Sequence, residues 1–326
     1  MKKKAPRRTA TTYPIATRRF KVRVEDFGAP PEGDSFRGFW NGLPKILAAE
    51  SLRAVVTAIE SARQKGKPIV FAFGAHVLKT GLSPVLIDLV SKGYITAFAT
   101  NGASGIHDFE IAFHGKTSED VGSVLLDGEF GMSRETGVGI FRALRAGRAK
   151  GWGYGRALGA AIAKSRLPFK HLSLFGAAAE AGIPLTVHVG VGTDTLAQHP
   201  GMDGALVGEM SYRDFRLVQK VIARLGDGGV WINAGSSVIL PEVFLKALSL
   251  SRNLGHDVKD FTTVDLDMIR HYRPLENVLK RPVMAGGRSY SITGHHEIVV
   301  PLLAQALVLG LGREEKDGST TKGRTS

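Results

Sequence analysis

Short apolar runs alternate with helical patterns along the centre of this chain, and that alternation constrains the fold more than any other feature. The runs are rich in β-branched and aromatic residues, which predicts buried strands. Strands that alternate with helices predict an α/β fold, here a Rossmann-like, doubly wound, mainly parallel sheet in three layers. The five predicted strands are Pro68–Phe73, Tyr94–Thr100, Pro184–Val189, Gly229–Ala234 and Phe261–Leu266.

Helical periodicity fills the intervals between these strands. A longer pattern, Thr136–Lys164, predicts a helical insertion within the basic segment 134–170, which we interpret as a packed hairpin with a basic outer face. An anionic or nucleic-acid partner is the alternative interpretation of that segment. The remaining predicted helices are Phe36–Gln64 before the first strand, Ser83–Ser91, Ile106–Phe113, Tyr212–Leu225, Pro241–Leu254 and the closing Glu297–Leu311.

Each predicted strand ends in small or polar residues. In an open parallel sheet, ligands bind outside the carboxyl ends of the strands, where helix N-termini offer unpaired amides. Glycines let a ligand approach the backbone, and amide, hydroxyl and carboxylate groups can orient ribose or phosphate. No G-x-G-x-x-G or P-loop motif is present, so tight turns are the alternative reason for the glycines. The predicted cofactor-binding residues are Gly74, Ala75, Thr100, Asn101, Gly102, Thr193, Asp194, Gly235, Ser236 and Asp265.

Candidate catalytic residues lie in the same turns. Lys79 follows the first strand beside a predicted helix N-terminus, where it could bind phosphate or form an imine; a solvated structural lysine is the alternative. His76 and His107 could meet across adjacent strand ends and serve as a general base. The histidines and acids elsewhere lack the helical spacing of a zinc motif, so no metal is expected.

Several segments resemble the deoxyhypusine synthase family, over roughly residues 51–309. "FATNGASGIHDFEIAF", "GTDTLAQHPGMDGALVGEM", "FRLVQKVIARLGDGGVWINAGSSVILPEVFLKAL" and "HHEIVVPLLAQAL" look like that family's second strand and turn, its Thr-Asp turn, its long helix with the following strand, and its last helix. The resemblance implies a Rossmann-like fold that binds NAD, with Thr193 and Asp194 at a cofactor position. It also implies a homotetramer and transfer of a polyamine-derived butylamine group through an imine.

The chain departs from the family where the family carries its active-site lysine. Gly286, Gly287 and Arg288 occupy that stretch, and a guanidinium stays charged and cannot form an imine. Ser236 and Ser237 stand where the family has a histidine. We therefore expect an NAD-binding enzyme that acts on a small amine, polyamine or amino-acid-like substrate. The alternatives are an aminoalkyl transferase that uses a relocated lysine, with Lys79 as first candidate, and a non-catalytic nucleotide- or RNA-binding protein.

The charge of the chain, +13 in total, is concentrated in two segments. Residues 1–23 carry nine Lys or Arg and no acid, and residues 134–170 carry nine against Glu135 alone. We expect a basic flexible tail over 1–30, a single domain over 31–311 and a second tail over 312–326. We interpret the first tail as a solubilising or loosely anchoring extension, and a nucleic-acid arm is the alternative. The chain has no cysteine, no apolar run long enough to span a membrane and no signal-peptide pattern, so we expect a cytoplasmic location; the expectation of a homo-oligomer comes from the family resemblance.

Overall fold

The computed structural model describes residues 9–312. Residues 1–8 and 313–326 of the two predicted tails lie outside the described residues. The chain divides into two compact units, Met1–Glu50 and Ser51–Ser326.

The first unit contains short helical turns joined by backbone hydrogen bonds. Two 3₁₀ helices, Ile15–Thr17 and Val24–Asp26, precede the α-helix α1 (Phe36–Gly42). Ser35 caps α1, since its side chain accepts a hydrogen bond from the Gly38 amide at 3.1 Å.

Helices account for most of the described chain and surround one sheet. The apolar stripe of the longer helices explains why they form on a packed core. A π-helix covers Leu275–Lys280, and 3₁₀ helices cover Lys170–Leu172, Thr195–Gln198 and Pro282–Ala285. The other α-helices are α2 (Leu47–Gln64), α3 (His76–Lys79), α4 (Ser83–Ser91), α5 (Gly102–His114), α6 (Val121–Val124), α7 (Arg134–Arg148), α8 (Tyr154–Lys164), α9 (Leu174–Glu180), α10 (Gly204–Ile222), α11 (Ile239–Asn253), α12 (Tyr272–Pro274) and α13 (His296–Val308).

The sheet has six parallel strands in the order β3-β2-β1-β4-β5-β6, which confirms the predicted Rossmann-like, doubly wound fold. The five predicted strands all form, with boundaries shifted by up to three residues. The strands are β1 (Ile69–Phe73), β2 (Ala97–Asn101), β3 (Leu185–His188), β4 (Val230–Ala234), β5 (Phe261–Asp267) and β6 (Gly287–Thr293).

The strand order reverses between β1 and β4, so right-handed crossovers place the helices of the two halves on opposite faces of the sheet. One face buries Val70, Ala99 and Trp231 against α10 and α11. The Trp231 ring stacks on Phe244 of α11 at 4.3 Å between centroids. Burial of these side chains is the main stabilising contribution to this layer.

One strand was missed by the sequence-based expectations, and the basic insertion folds as expected. β6 was not predicted, because most of its seven residues are exposed polar or small residues of an edge strand and carry no apolar signal. The insertion forms two helices, α7 and α8, which pack against each other as the predicted hairpin. Gly147 permits that packing, since a Cβ there would lie 2.2 Å from the Cβ of Ala157.

Candidate functional site

The carboxyl ends of β1 and β4 meet at the reversal point of the sheet. The Gly74 amide donates to the Ala234 carbonyl at 2.9 Å, and a Cβ on Gly74 would lie 2.2 Å from the Gly235 carbonyl oxygen. Gly235 has a φ of 65°, and a Cβ there would lie 2.7 Å from the His296 ring. Backbone contact and turn geometry therefore require both predicted glycines, whatever binds above them.

Two buried acceptors lie beside this turn. Asn233 donates its Nδ2 hydrogens to Asp265 Oδ1 at 2.8 Å and to the Ser236 carbonyl at 3.0 Å. His296 Nε2 donates to the Leu266 carbonyl at 3.0 Å. Asn233 Oδ1 and His296 Nδ1 have no hydrogen-bond partner within residues 9–312. Unpaired buried acceptors are costly, so these two atoms are candidates for ligand contacts.

Asp265 and Ser236 are buried beside the turn that follows β4. Burial raises the pKa of Asp265 to about 6, an effect that the hydrogen bond from Asn233 opposes. The Ser236 hydroxyl accepts a hydrogen bond from the Leu240 amide at 3.2 Å, in the first turn of α11. Both residues are almost fully buried, so they support the turn rather than forming its outer surface.

Asp194 lies against the first turn of α5. A Cβ on Gly102 would lie 2.0 Å from Asp194 Oδ2, so only glycine leaves room for this carboxylate. Burial raises the pKa of Asp194 to about 6, while a hydrogen bond from the Ala103 amide acts in the opposite direction. Thr193 donates its hydroxyl to the Gly190 carbonyl at 2.7 Å. The predicted Thr-Asp turn thus meets the predicted Gly102 turn.

Thr100 and Asn101 connect β2 to its surroundings. The Thr100 hydroxyl is fully buried and donates to the Phe73 carbonyl of β1 at 2.8 Å. Asn101 caps α5, because its Oδ1 accepts from the Ser104 amide at 3.1 Å. Both polar groups are engaged within the fold.

A cleft of about 240 Å³ opens beside α5, and we call it the α5 cleft. Charged groups of both signs line it. One cation, Lys79, and three carboxylates, Glu110, Glu119 and Asp194, occur among its described lining residues, together with His107.

Hydrogen bonds fix the orientation of His107 in this cleft. The Thr117 hydroxyl donates to Glu110 Oε2 at 2.6 Å, so its oxygen is left to accept from His107 Nδ1 at 2.6 Å. A second hydroxyl, that of Thr136, reaches Glu110 Oε1 at 3.2 Å. His107 therefore carries its proton on Nδ1 and leaves the Nε2 lone pair available.

Electrostatics keep the His107 ring neutral. Burial, followed by the charge of Lys79, lowers the pKa of His107 to about 4. Burial raises the pKa of Glu110, while the hydrogen bonds from Thr117 and Thr136 oppose that rise. At neutral pH the cleft thus contains a neutral imidazole that can accept a proton.

Of the other two predicted catalytic residues, Lys79 lies in the α5 cleft and His76 lies outside it. Lys79 lines the α5 cleft, but it is the last residue of the one-turn helix α3 and not the residue beside a helix N-terminus that the sequence predicted. His76 is exposed, and its ring packs edge-on against His296 at 5.7 Å, in the turn after β1 that also contains Ala75. Lys79, His107, Thr193 and Asp194 therefore share one cleft, and His76 lies beside Gly235.

A groove of about 430 Å³ lies on the other side of the loop that follows β3, and we call it the β3 groove. Tyr212 and Phe215 stack along one wall at 6.3 Å, and Val238 and Ile239 form another. His188 lies at its base, where burial lowers its pKa to about 3. The groove thus offers an apolar surface close to the strand ends.

No cluster of three or more His, Asp or Glu side chains suited to a metal ion occurs within residues 9–312. None of the described helices is long and apolar enough to cross a membrane.

Sequence reasoning missed Thr117 and Thr136, because both lie outside the strand-end turns. One signal pointed toward them: His107 and Glu110 are three residues apart and share a face of α5, so a group that bridges them was to be expected.

Comparisons with known proteins agree on the fold. No protein-family model and no curated protein matches the sequence. Among solved structures, a Methanococcus maripaludis S2 protein assigned as LOR/SDH is 15% identical over 82% of this chain and 71% of its own, with a TM-score of 0.50. An Entamoeba histolytica protein assigned as a deoxyhypusine synthase is 11% identical over 85% and 94%, with a TM-score of 0.47. AgrE, in a ternary complex with ornithine and NAD+, is 15% identical over 81% of this chain, with a TM-score of 0.47. This chain spans only 34% of the AgrE chain. At such identities, the likeness to the M. maripaludis protein shows a shared fold.

Proposed function

We propose that this protein is an NAD-dependent enzyme that oxidises a small amine or amino-acid-like substrate in the α5 cleft. The observation that carries the proposal is the neutral, oriented His107 imidazole at the carboxyl end of a Rossmann-like sheet. The free Nε2 of this weakly basic imidazole can accept a hydrogen bond from a neutral substrate amine, and it can take a proton from that nitrogen once hydride loss to NAD has made it acidic.

The charges of the cleft support an amino-acid-like substrate. Lys79 can pair with a substrate carboxylate, and Asp194 or Glu119 can pair with an ammonium group. A substrate with both groups would use both signs of charge. A diamine or polyamine would use the carboxylates alone, so the cleft also suits that class.

The strand ends fit NAD in two respects. The β3 groove and the α5 cleft lie on either side of the loop 189–196, which gives an extended ligand two cavities. Asn233 Oδ1 and His296 Nδ1 could accept hydrogen bonds from a carboxamide or a ribose hydroxyl. Gly74, Gly102 and Gly235 would shape these turns without leaving room for phosphate, since internal atoms already fill the space beside each one. NAD, when bound, supplies a hydride acceptor.

The test combines NAD binding with turnover. We expect NAD to raise the melting temperature of the protein, since a ligand that binds only the folded state stabilises it. A panel of amino acids, diamines and polyamines, followed through formation of NADH, should identify a substrate. His107→Gln should lower turnover about 10²- to 10⁴-fold. His114→Gln, an exposed histidine on the same helix, is the control and should leave turnover unchanged. A melting temperature that saturating NAD does not move would refute the proposal.

Lys79 supports a second candidate function, aminoalkyl transfer through an imine, because it is the single lysine among the described lining residues of the cleft and its amine would be desolvated by a bound substrate. Incubation with NAD, spermidine and borohydride would then leave a reduced adduct on Lys79. Lys92, an exposed lysine paired with Asp88 on α4, serves as the internal control. If peptide mapping finds Lys79 unmodified under conditions that support NAD binding, this second function is excluded.

A further inference from the structure

A third cavity lies at the opposite edge of the sheet from the α5 cleft. It has a volume of about 500 Å³, within the usual range for small-molecule sites. The start of β5 forms its floor, through Phe261 and Thr262, and α2 and β6 form its sides. We call it the amino-end cavity, because it adjoins the residues that precede or begin β4, β5 and β6.

Small side chains of α2 line one side of this cavity. α2 buries Val55, Val56 and Ile59 in the core and presents small residues at helical spacing to the cavity, Ala54, Ala58 and Ser61. Tyr290 of β6 contributes an aromatic ring to the lining. Small aliphatic side chains and an aromatic residue in one lining suit the faces of a planar ring system.

Two cations lie at the rim. Arg288 is exposed on β6, and Lys65 follows the last residue of α2, with its Nζ 3.3 Å from the position of a Cβ on Gly228. Neither side chain has an ion pair or a hydrogen bond to any other described residue. Asp260 is the single carboxylate among the described lining residues, so the rim carries a net positive charge.

A buried hydroxyl opens into the same space. Thr262 is only 8% exposed and lines the cavity, and its Oγ1 is not among the buried unpartnered atoms of residues 9–312. A ligand hydroxyl in the cavity can therefore form a hydrogen bond with the Thr262 hydroxyl.

From these groups we propose that the amino-end cavity binds a mononucleotide. Its base lies between Tyr290 and the small-residue wall of α2, its ribose hydroxyls reach Thr262 and Asp260, and its phosphate pairs with Lys65 and Arg288. This site is separate from the proposed NAD site and does not depend on it.

The test uses AMP, adenosine and inorganic phosphate as probes of the full-length protein by titration calorimetry. AMP should bind saturably, and adenosine or phosphate alone should bind at least 10-fold more weakly. Arg288→Ala and Lys65→Ala should each weaken AMP binding about 10-fold. Thr262→Val, which keeps the shape and removes the hydroxyl, should weaken it about 3-fold or more. Arg166→Ala, an exposed arginine outside the cavity, should have no effect.

Hydrogen exchange with and without AMP locates the site. Protection of residues 287–293 and 54–65 supports the amino-end cavity, and protection confined to residues 189–196 assigns AMP to the NAD site and overturns the proposal. Phosphate binding as tight as AMP binding overturns the nucleotide assignment. Binding that none of the three cavity variants weakens, with each variant shown to be folded by its melting curve, also overturns it.

Discussion

The protonation state of the His107 ring is determined by the residues around it. The Thr117–Glu110 pair fixes which ring nitrogen holds the proton, and burial with Lys79 keeps the ring neutral. A general base is useful only where it is deprotonated and its lone pair faces the reacting proton. The first condition is met at neutral pH, and the hydrogen bond at Nδ1 leaves Nε2 without a proton.

A pH profile tests this description of His107. Once a substrate is known, kcat/KM should fall on the acid side only as the pH passes about 4, because the pKa of His107 is lowered to about that value. An ordinary histidine would lose its function below about pH 6.5. The profile should be measured in Asp194→Asn as well. The pKa of Asp194 is raised to about 6, so protonation of this carboxylate would cause a separate fall in kcat/KM near that pH. An acid limb that stays near 6.5 in that variant would contradict the assignment of His107.

Asp214 makes stability depend on pH. It is fully buried, accepts hydrogen bonds from the Gly155 and Val187 amides, and burial raises its pKa from 3.8 to about 7. The folded state therefore binds more protons than the unfolded state between these values. The stabilisation is complete below the unfolded pKa and is lost as the pH rises through about 7.

Asp214→Asn should remove this dependence. Relative to the wild type, the variant should gain up to about 4 kcal/mol in unfolding free energy between about pH 4 and pH 8, because one pKa unit corresponds to about 1.4 kcal/mol. Denaturant unfolding at the two pH values measures the change. The exposed Asp127→Asn is the control, and its difference from the wild type should be the same at both values. A constant difference for Asp214→Asn would show that the carboxyl does not titrate as described.

At the scale of elements, close helix packing depends on particular glycines. Gly159 lies in the middle of α8, where a Cβ would meet the Phe175 carbonyl of α9 at 2.4 Å. Gly208 lies in α10 with no atom within 4 Å of the corresponding position. The two positions share helical geometry and differ only in the space beside them.

The same substitution at both positions should therefore have opposite effects. Gly159→Ala should destabilise the protein by about 1–3 kcal/mol, because the backbone carbonyl cannot move away without shifting α9. Gly208→Ala should stabilise it by about 0.5–1 kcal/mol, because alanine loses less conformational entropy in a helix. Denaturant unfolding of both variants gives the comparison. Equal changes would mean that α8 and α9 are less closely packed than described.

Buried elements were predicted from the sequence more successfully than exposed ones. The central strands were predicted because both of their faces are apolar, whereas β6 has one open edge and polar residues and was missed. The start of α10 at Gly204 was also missed, because Gly204 and Gly208 weaken the helical signal of its first turns.

In the candidate site, too, some contacts could be predicted from the sequence and others could not. The rule that parallel strands share a carboxyl edge was sufficient to bring Gly102 and Asp194 together. The position of Thr117 depends on how the segment after α5 folds back over that helix. No periodicity encodes such a path, so the partner that orients His107 could not be predicted.

At the scale of the whole molecule, the strands of the sheet differ in how well they are shielded from solvent. β1 and β4 lie at its centre and are buried throughout, whereas β6 has one neighbour and an exposed edge within the described chain. Amides in central strands exchange only when much of the fold opens, and amides at an edge exchange through local fluctuation.

Hydrogen exchange followed by mass spectrometry should rank the strands accordingly. We expect peptides covering Ile69–Phe73 and Val230–Ala234 to exchange slowest, and the peptide covering Gly287–Thr293 to exchange fastest of the six. The measurement should be repeated at several protein concentrations. Slow exchange of the last peptide that strengthens with concentration would show that a second copy covers this edge.

The pairing of β1 with β4 also has a consequence for how the chain is made. Ile69 pairs with Val230, so one edge of the fully apolar strand β1 has no partner until β4, about 160 residues later, has been synthesised. At a synthesis rate of about 5–20 residues per second, that interval lasts roughly 8 to 30 s. During that time the edge of β1 is open to any other extended segment, on the same ribosome or a neighbouring one. The strand order that places β1 beside β4 therefore leaves the nascent chain open to pairing with other extended segments until β4 has been synthesised.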